Sequence, residues 1–303
     1  MTDPRSVSRR LRAVVLPAAA GLAAYTVVVQ WSDIRSSLDR VGIVAPLESL
    51  ILALIGLAAG ALAWRTLLSD VGVPLPLGTT TRVFFVGQIG KYLPGGVWPL
   101  LAQMELGRDA GAGRRQVGAV AVVVMAVNVV TGLLVAVACL PFTSSSALHR
   151  AGWLLILLPV GLALLHPRML SRLIGRALRL LRREPLEQPP TMRGVVAAVG
   201  WSLVMWAAFG AHLYVLADPL AEAGHRMPLL ATGGYALAWV VGFLVVIAPS
   251  GAGVREAMLV LALAPALPAG EAIAVALLSR VVMTIGDLLW AGAGMLPHMS
   301  TTT

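Results

Sequence analysis

The stretch QIGKYLPGGVWPLL, residues 88–101, decides the fold. It lies in a run that is otherwise largely apolar from Val83 to Ala102, yet its centre carries a lysine, two prolines and three glycines. The 11 residues from Val83 to Leu93 make about 16 Å of helix, which reaches the bilayer centre and no further. Pro94 removes a backbone donor, and Gly95 and Gly96 accept dihedrals other residues avoid, so the helix ends there. A second limb, Val97 to Leu106, returns to its starting side, because basic residues flank both ends: Arg82 before, and Arg108, Arg114 and Arg115 after. The reading is a re-entrant helical hairpin with its tip near the midplane. Unpaired backbone survives at that depth only against protein or a water-filled cavity.

The rest of the chain supplies the membrane. Of 303 residues, 58% are hydrophobic and 12% charged. Soluble domains carry about 25% charged residues, so this is an integral membrane protein. Little polar sequence is left for an appended ATPase or transferase. Uninterrupted apolar spans run at about 12–30, 44–64, 116–141, 152–167, 194–216 and 272–293, and interrupted ones at 83–107 and 229–265. The fold class is therefore all-α integral membrane, with about eight hydrophobic helical segments. The basic-then-apolar start mimics a signal peptide but reads as an uncleaved first helix.

The formal net charge is +9, and 22 of the 23 basic residues are arginine. They sit at membrane flanks, so they report topology rather than nucleic-acid binding. With the N-terminus cytoplasmic, sixteen fall on the cytoplasmic side and four (Arg35, Arg40, Arg150, Arg226) on the other. Both termini are then cytoplasmic. Arg168, Arg172, Arg176, Arg179 and Arg183 fall within an arc of roughly 80°, a cationic amphipathic helix suited to anionic inner-leaflet lipid. Pro185, Pro189 and Pro190 follow. The chain reads as a single transmembrane domain, 1–303, with a first half of about 1–183, a basic linker of about 184–193 and a second half of about 194–303.

The second interrupted run repeats the design. APSGAGVREAMLVLALAP, residues 248–265, breaks at Pro249-Ser250-Gly251-Ala252-Gly253 and resumes with Arg255 and Glu256. Its flanks are expected outside, so the two breaks enter from opposite faces, the sequence sign of an inverted repeat with its site between the tips. Met227 to Ala248 is 22 residues, long enough to cross fully, so a complete hairpin is the other reading.

Ionisable groups at membrane depth cost about 2.5–3.5 kcal/mol on insertion scales and mark function. Lys91 precedes the first tip, Arg255 and Glu256 follow the second, and Arg280 and Asp287 share a face of the last span. The half-helices starting at Val97 and Val254 aim N–H groups at the tips, which favours an anion such as a phosphate headgroup. The candidate substrate-binding residues are Lys91, Tyr92, Pro94, Gly95, Gly96, Trp98, Ser250, Gly251, Gly253, Arg255, Glu256, Arg280 and Asp287. Glu256 and Asp287 suit cations or protons, or simple charge balance. Gly56 and Gly60 form a helix-packing GxxxG. No Walker loop, HExxH or CxxC occurs, and His149, His166, His212, His225 and His298 lack ligand spacing. No cofactor, metal or catalytic residue is expected.

GKYLPGGVWP at 90–99, PSGAGVREA at 249–257 and ALLSR at 276–280 resemble the flippase-like integral membrane family. That family is related to the transmembrane region of bacterial lysylphosphatidylglycerol synthase, the multiple peptide resistance factor. The resemblance implies movement of a lipid or lipid-linked group between leaflets of a bacterial cytoplasmic membrane. It supports Pro94, Gly95, Gly251, Gly253, Arg255, Glu256 and Arg280 in particular. The basic tips favour an anionic phospholipid or a polyprenyl-phosphate-linked glycan. The alternatives are a non-catalytic partner subunit of a separate lipid synthase or glycosyltransferase, and a polyprenol-dependent glycosyltransferase using Asp33 and Asp39.

Overall fold

A computed structural model of the chain describes residues 31–93, 97–143, 149, 155–164, 166, 168–169, 189–221, 226–245 and 251–296. The N-terminal span at 12–30, the arginines from 172 to 183, and the tip residues Pro94, Gly95, Gly96, Pro249 and Ser250 lie outside the described residues.

The described elements are helical throughout: α1 (Trp31–Val41), α2 (Val44–Asp70), α3 (Leu77–Thr81), α4 (Trp98–Asp109), α5 (Arg114–Cys139), α6 (Leu157–Leu164), α7 (Met192–Ala217), α8 (Met227–Leu244), α9 (Val254–Leu263) and α10 (Ala269–Met295). Between α3 and α4 run a π-turn, Arg82–Val86, and a 3₁₀ turn, Ile89–Tyr92. Five of the described helices (α2, α5, α7, α8 and α10) are long and apolar enough to cross a membrane. A multi-pass helical membrane fold follows.

Small residues set the packing at the centre. Along α2, Ser49, Ala53, Gly56, Gly60, Ala63 and Leu67 are buried at alternating four- and three-residue steps, one stripe of a helix. α7 lies against it. A Cβ on Gly56 would stand 2.5 Å from the Phe209 ring, so glycine is what lets this ring in. This is the close approach small residues give membrane helices. The GxxxG reading as packing therefore holds.

Side-chain hydrogen bonds fix the register between these helices. His212 of α7 is fully buried and bridges two serines, with Nδ1 2.6 Å from Ser49 Oγ on α2 and Nε2 2.9 Å from Ser279 Oγ on α10. Trp206 Nε1 donates to Thr131 Oγ1 of α5 at 3.0 Å, and Ser202 Oγ donates to Asn128 Oδ1 at 2.8 Å. Such interhelical bonds contribute about 0.6 kcal/mol each in a bilayer, up to roughly 1.7.

Long-range contacts sort the helix ends into two sets. Asp70, ending α2, accepts from Thr191 N at 2.6 Å and Thr191 Oγ1 at 2.7 Å, while Thr191 caps α7 through Gly194 N. Gly294, near the end of α10, abuts the Arg82 backbone. At the other set, Arg40 pairs with Glu271, and Arg226 donates to the Phe142 carbonyl at 3.4 Å. Every one of these contacts joins segments that the arginine distribution assigns to the same side.

Candidate functional site

Both interrupted runs fold back on themselves. In the first, Gly90 faces the Trp98–Pro99 backbone, where a Cβ would meet atoms at 2.8 and 2.9 Å, and Gly87 faces Gln103. These pairings run antiparallel, and neither limb is long enough to cross alone. The first limb departs from the regular helix expected over Val83–Leu93. It opens into a π-turn and then tightens into a 3₁₀ turn. The glycines sit where the limbs touch most closely, and π-turns of this kind recur at functional sites. The second limb begins at Trp98, with Pro99 in its first turn, and ends at Asp109 rather than Leu106. Around its end, Glu105 receives Arg114 at 2.5 Å and Arg108 at 3.2 Å, an exposed polar cluster.

The second run is unequal. α8 has 18 residues and the length of a span, whereas α9 has 10 residues, about 15 Å at helical rise. α9 packs back on α8, with Gly234 against Ala262 and Gly242 against Arg255. Gly251 and Gly253 hold φ of +68° and +82°, a region that costs other residues steric strain. At Gly251 the close approach adds to this, since a Cβ would stand 3.0 Å from the Gly242 carbonyl oxygen.

The two hairpins share one cavity of about 400 Å³. Phe84, Gln88, Lys91, Val97, Pro99 and Gln103 come from the first, and Trp239, Gly242 to Val245, Gly251 and Arg255 from the second. Trp64 of α2 and Val124 and Asn128 of α5 close the wall. Its volume falls within the roughly 300–1,000 Å³ of ligand pockets.

The charges are arranged in two layers. Lys91 and Arg255 line the cavity, one from each hairpin. Behind them, α10 supplies a partner to each hairpin. Asp287, 4% exposed, takes Lys91 Nζ at 2.6 Å and the Tyr92 hydroxyl at 2.7 Å. Arg280 reaches Glu256 Oε1 at 3.3 Å, while the other Glu256 oxygen accepts from Gly253 N at 2.6 Å. Glu256 thus takes up the Gly253 N–H at the start of α9, one of the donors expected to await an anion. Arg255 lies over the Tyr235 ring, 4.5 Å from its centroid, and donates to its hydroxyl. Among the described residues no carboxylate pairs with it.

Of the residues selected from sequence, Lys91, Gly251 and Arg255 therefore line the cavity. Tyr92, Glu256, Arg280 and Asp287 form the layer behind. Gly253 starts α9, and Trp98 is half exposed beside two lining residues. Gln88, Gln103, Asn128 and Tyr235 escaped sequence reasoning, and Trp64, whose place near a span end suggests an interfacial belt anchor, is instead buried in the cavity wall. Single polar residues inside apolar runs (Gln103, Asn128) were the available sign. Among the described residues no group of three His, Cys, Asp or Glu has the arrangement of a metal site.

The fold defines a class: a multi-pass, all-α membrane protein, here with a cavity lined from both interrupted runs. The family model for the lysylphosphatidylglycerol synthase TM region matches residues 11–291, and the chain belongs to that family. Compared with curated proteins, the chain has no match.

Proposed function

We propose that this protein moves a lipid with an anionic headgroup between leaflets, the headgroup being held in the cavity between the two hairpins. One observation carries the reading: each hairpin contributes one cation, Lys91 or Arg255, to the same cavity. The substrate class is an anionic phospholipid or a polyprenyl-phosphate-linked glycan.

The chemistry follows from the two charge layers. A phosphate entering the cavity meets Arg255, whose guanidinium forks onto two oxygens. It also competes with Asp287 for Lys91. Lys91 leaves a carboxylate only for another anion, so it discriminates against neutral and cationic headgroups. Glu256 and Asp287 balance charge, since both are engaged by α10 or by the hairpins. The two hairpins act as opposing gates of an inverted repeat within a single transmembrane unit. The N- and C-termini lie on the cytoplasmic side of a bacterial inner membrane, and the Arg168–Arg183 segment gathers anionic inner-leaflet lipid.

The family's tie to a synthase favours a second reading, a non-catalytic membrane subunit for a separate lipid synthase or glycosyltransferase. One experiment separates the two. Purified protein in vesicles is given a fluorescent anionic phospholipid or a labelled polyprenyl-phosphate sugar, and leaflet exchange is followed by dithionite quenching. Exchange by wild type, lost in Arg255→Ala and in Lys91→Ala, is the expected result. No exchange of any lipid by folded protein overturns it in favour of the subunit reading.

A further inference from the structure

The cations around the hairpins are not held alike. Lys91 is held by Asp287, and Arg280 reaches Glu256. Both carboxylates are thereby kept from Arg255. Glu256 follows Arg255 in the chain, yet its oxygens go to Gly253 N and to Arg280. Asp287 is taken by Lys91 and the Tyr92 hydroxyl. Among the described residues Arg255 is held instead by Tyr235, which engages it twice. The guanidinium carbon stands 4.5 Å from the ring centroid, and Nη2 donates to the hydroxyl.

Both sides of this contact are braced. Tyr235 is fully buried, its ring 5.2 Å from that of Phe209 and edge-on to His212 at 5.8 Å. His212 is itself tied to Ser49 and Ser279. Beneath the stem of Arg255 lies Gly242, on which a Cβ would stand 3.2 Å from Arg255 Cβ. Tyr235 and Gly242 are seven residues apart on α8, on one face and about two turns from each other. One helix thus supports the arginine at its stem and at its head.

We infer that Tyr235 is the positioning residue of the anion site: it sets the plane of the Arg255 guanidinium and leaves its charge uncancelled. This rests on the anionic-lipid reading above and deepens it. A carboxylate in this place would hold the arginine as firmly but neutralise it, and a headgroup would have to displace it, as it does at Lys91. The tyrosine ring attracts the cation through its quadrupole, and the hydroxyl accepts one N–H, so both holds are neutral. A guanidinium has five N–H donors in a rigid fork, and those not given to Tyr235 stay available. A phosphate presents two oxygens side by side and takes two parallel N–H groups. Because the plane is set before the anion arrives, less ordering remains to oppose binding. A hydroxyl headgroup offers the fork one oxygen without charge, and an ammonium offers it none.

The test is a double-mutant cycle on full-length protein in phosphatidylcholine nanodiscs, titrated calorimetrically with glycerol 3-phosphate. Tyr235→Phe keeps the ring and its packing and removes the hydroxyl. It is expected to bind about tenfold more weakly than wild type, the effect of one hydrogen bond to a charged group. Arg255→Lys keeps a cation but makes it a point charge with no plane to set. It too is expected to lose about tenfold, although the net charge is unchanged. In that background Tyr235→Phe should cost less than about twofold, because residues that act through one another are not additive. Equal losses from Tyr235→Phe in both backgrounds would show that the tyrosine only packs, and would overturn the inference. Unchanged binding by Tyr235→Phe would overturn it as well. If Tyr235→Phe does not fold, Arg255→Lys carries the test alone, and affinity equal to wild type refutes the need for a set plane. In each of these cases wild-type binding leaves the anionic-lipid reading standing. No binding of glycerol 3-phosphate by wild type overturns that reading, and the role of Tyr235 with it.

Discussion

At the residue scale, Asp287 decides how Lys91 behaves. It is buried and holds the lysine with the help of Tyr92. Asn at this position keeps an acceptor for the Tyr92 hydroxyl but removes the charge that competes with a phosphate. Asp287→Asn is therefore expected to bind an anionic headgroup about tenfold tighter, equivalent to ~1.4 kcal/mol, and to turn over more slowly because release is now the harder step. Titration with glycerol 3-phosphate and the leaflet assay read the two effects separately, and weaker binding would refute the competition. Gly251 is a second single-residue case. Its φ of +68° and its 3.0 Å approach to Gly242 leave no space for a methyl. Gly251→Ala should lose about 1–3 kcal/mol of stability, visible as a lower melting temperature in detergent. None of these partners was legible in the sequence. Tyr92 and Asp287 lie 195 positions apart, and the seven-residue spacing of Arg280 and Asp287 said only that they share a face. What each side chain meets depends on how the hairpins dock, which no local pattern encodes.

At the element scale, the first hairpin is a matter of glycine. Gly90 backs onto the main chain at Trp98 and Pro99, which cannot swing aside as a side chain does. Gly90→Ala should push the limbs apart and cost about 1–3 kcal/mol. Gly200, in the middle of α7, has nothing within 4 Å of its would-be Cβ. Gly200→Ala should stabilise by about 0.5–1 kcal/mol through helix propensity alone. Opposite shifts in melting temperature are expected from the same chemical change, and equal shifts would show that hairpin contact is not what Gly90 provides. The break itself was readable because proline and glycine leave a sign in the sequence at Gly90 to Pro99. Its π and 3₁₀ turns were not, because they answer to the facing limb. The same holds for α8, whose 22-residue apolar run up to Ala248 allowed a full span, and for α9, whose 10 residues do not reach that length.

At the scale of the whole molecule, the arginine distribution and the long-range contacts agree on which helix ends lie together. Asp39, near the Arg40–Glu271 pair, and Ala110, between α4 and α5, are both exposed and fall in opposite sets. In a Cys139→Ser background, Asp39→Cys should react with a membrane-impermeant maleimide on intact cells, and Ala110→Cys only after lysis. The reverse pattern would invert the proposed orientation. The five long apolar helices among the described residues fall where the sequence places apolar runs, because a bilayer imposes length and hydropathy on each one. The run at 152–167, by contrast, shows only the short helix Leu157–Leu164. The cavity was not legible, since its polar lining comes from residues scattered over α2, α5 and both hairpins.

The pairing of charges along α10 also has an electrical consequence. Around the hairpins stand three cations, Lys91, Arg255 and Arg280, and two anions, Glu256 and Asp287. The unloaded site thus carries one net positive charge, and a bound phosphodiester brings it to zero. On the proposed function, the loaded protein reorients without feeling the membrane voltage, while the unloaded protein carries a charge worth about 2.3 kcal/mol per 100 mV across the full field. A potassium–valinomycin potential imposed on the vesicles should change the rate of net lipid delivery and leave one-for-one lipid exchange untouched. The protein would then be a device whose resetting stroke, rather than its working stroke, is governed by voltage.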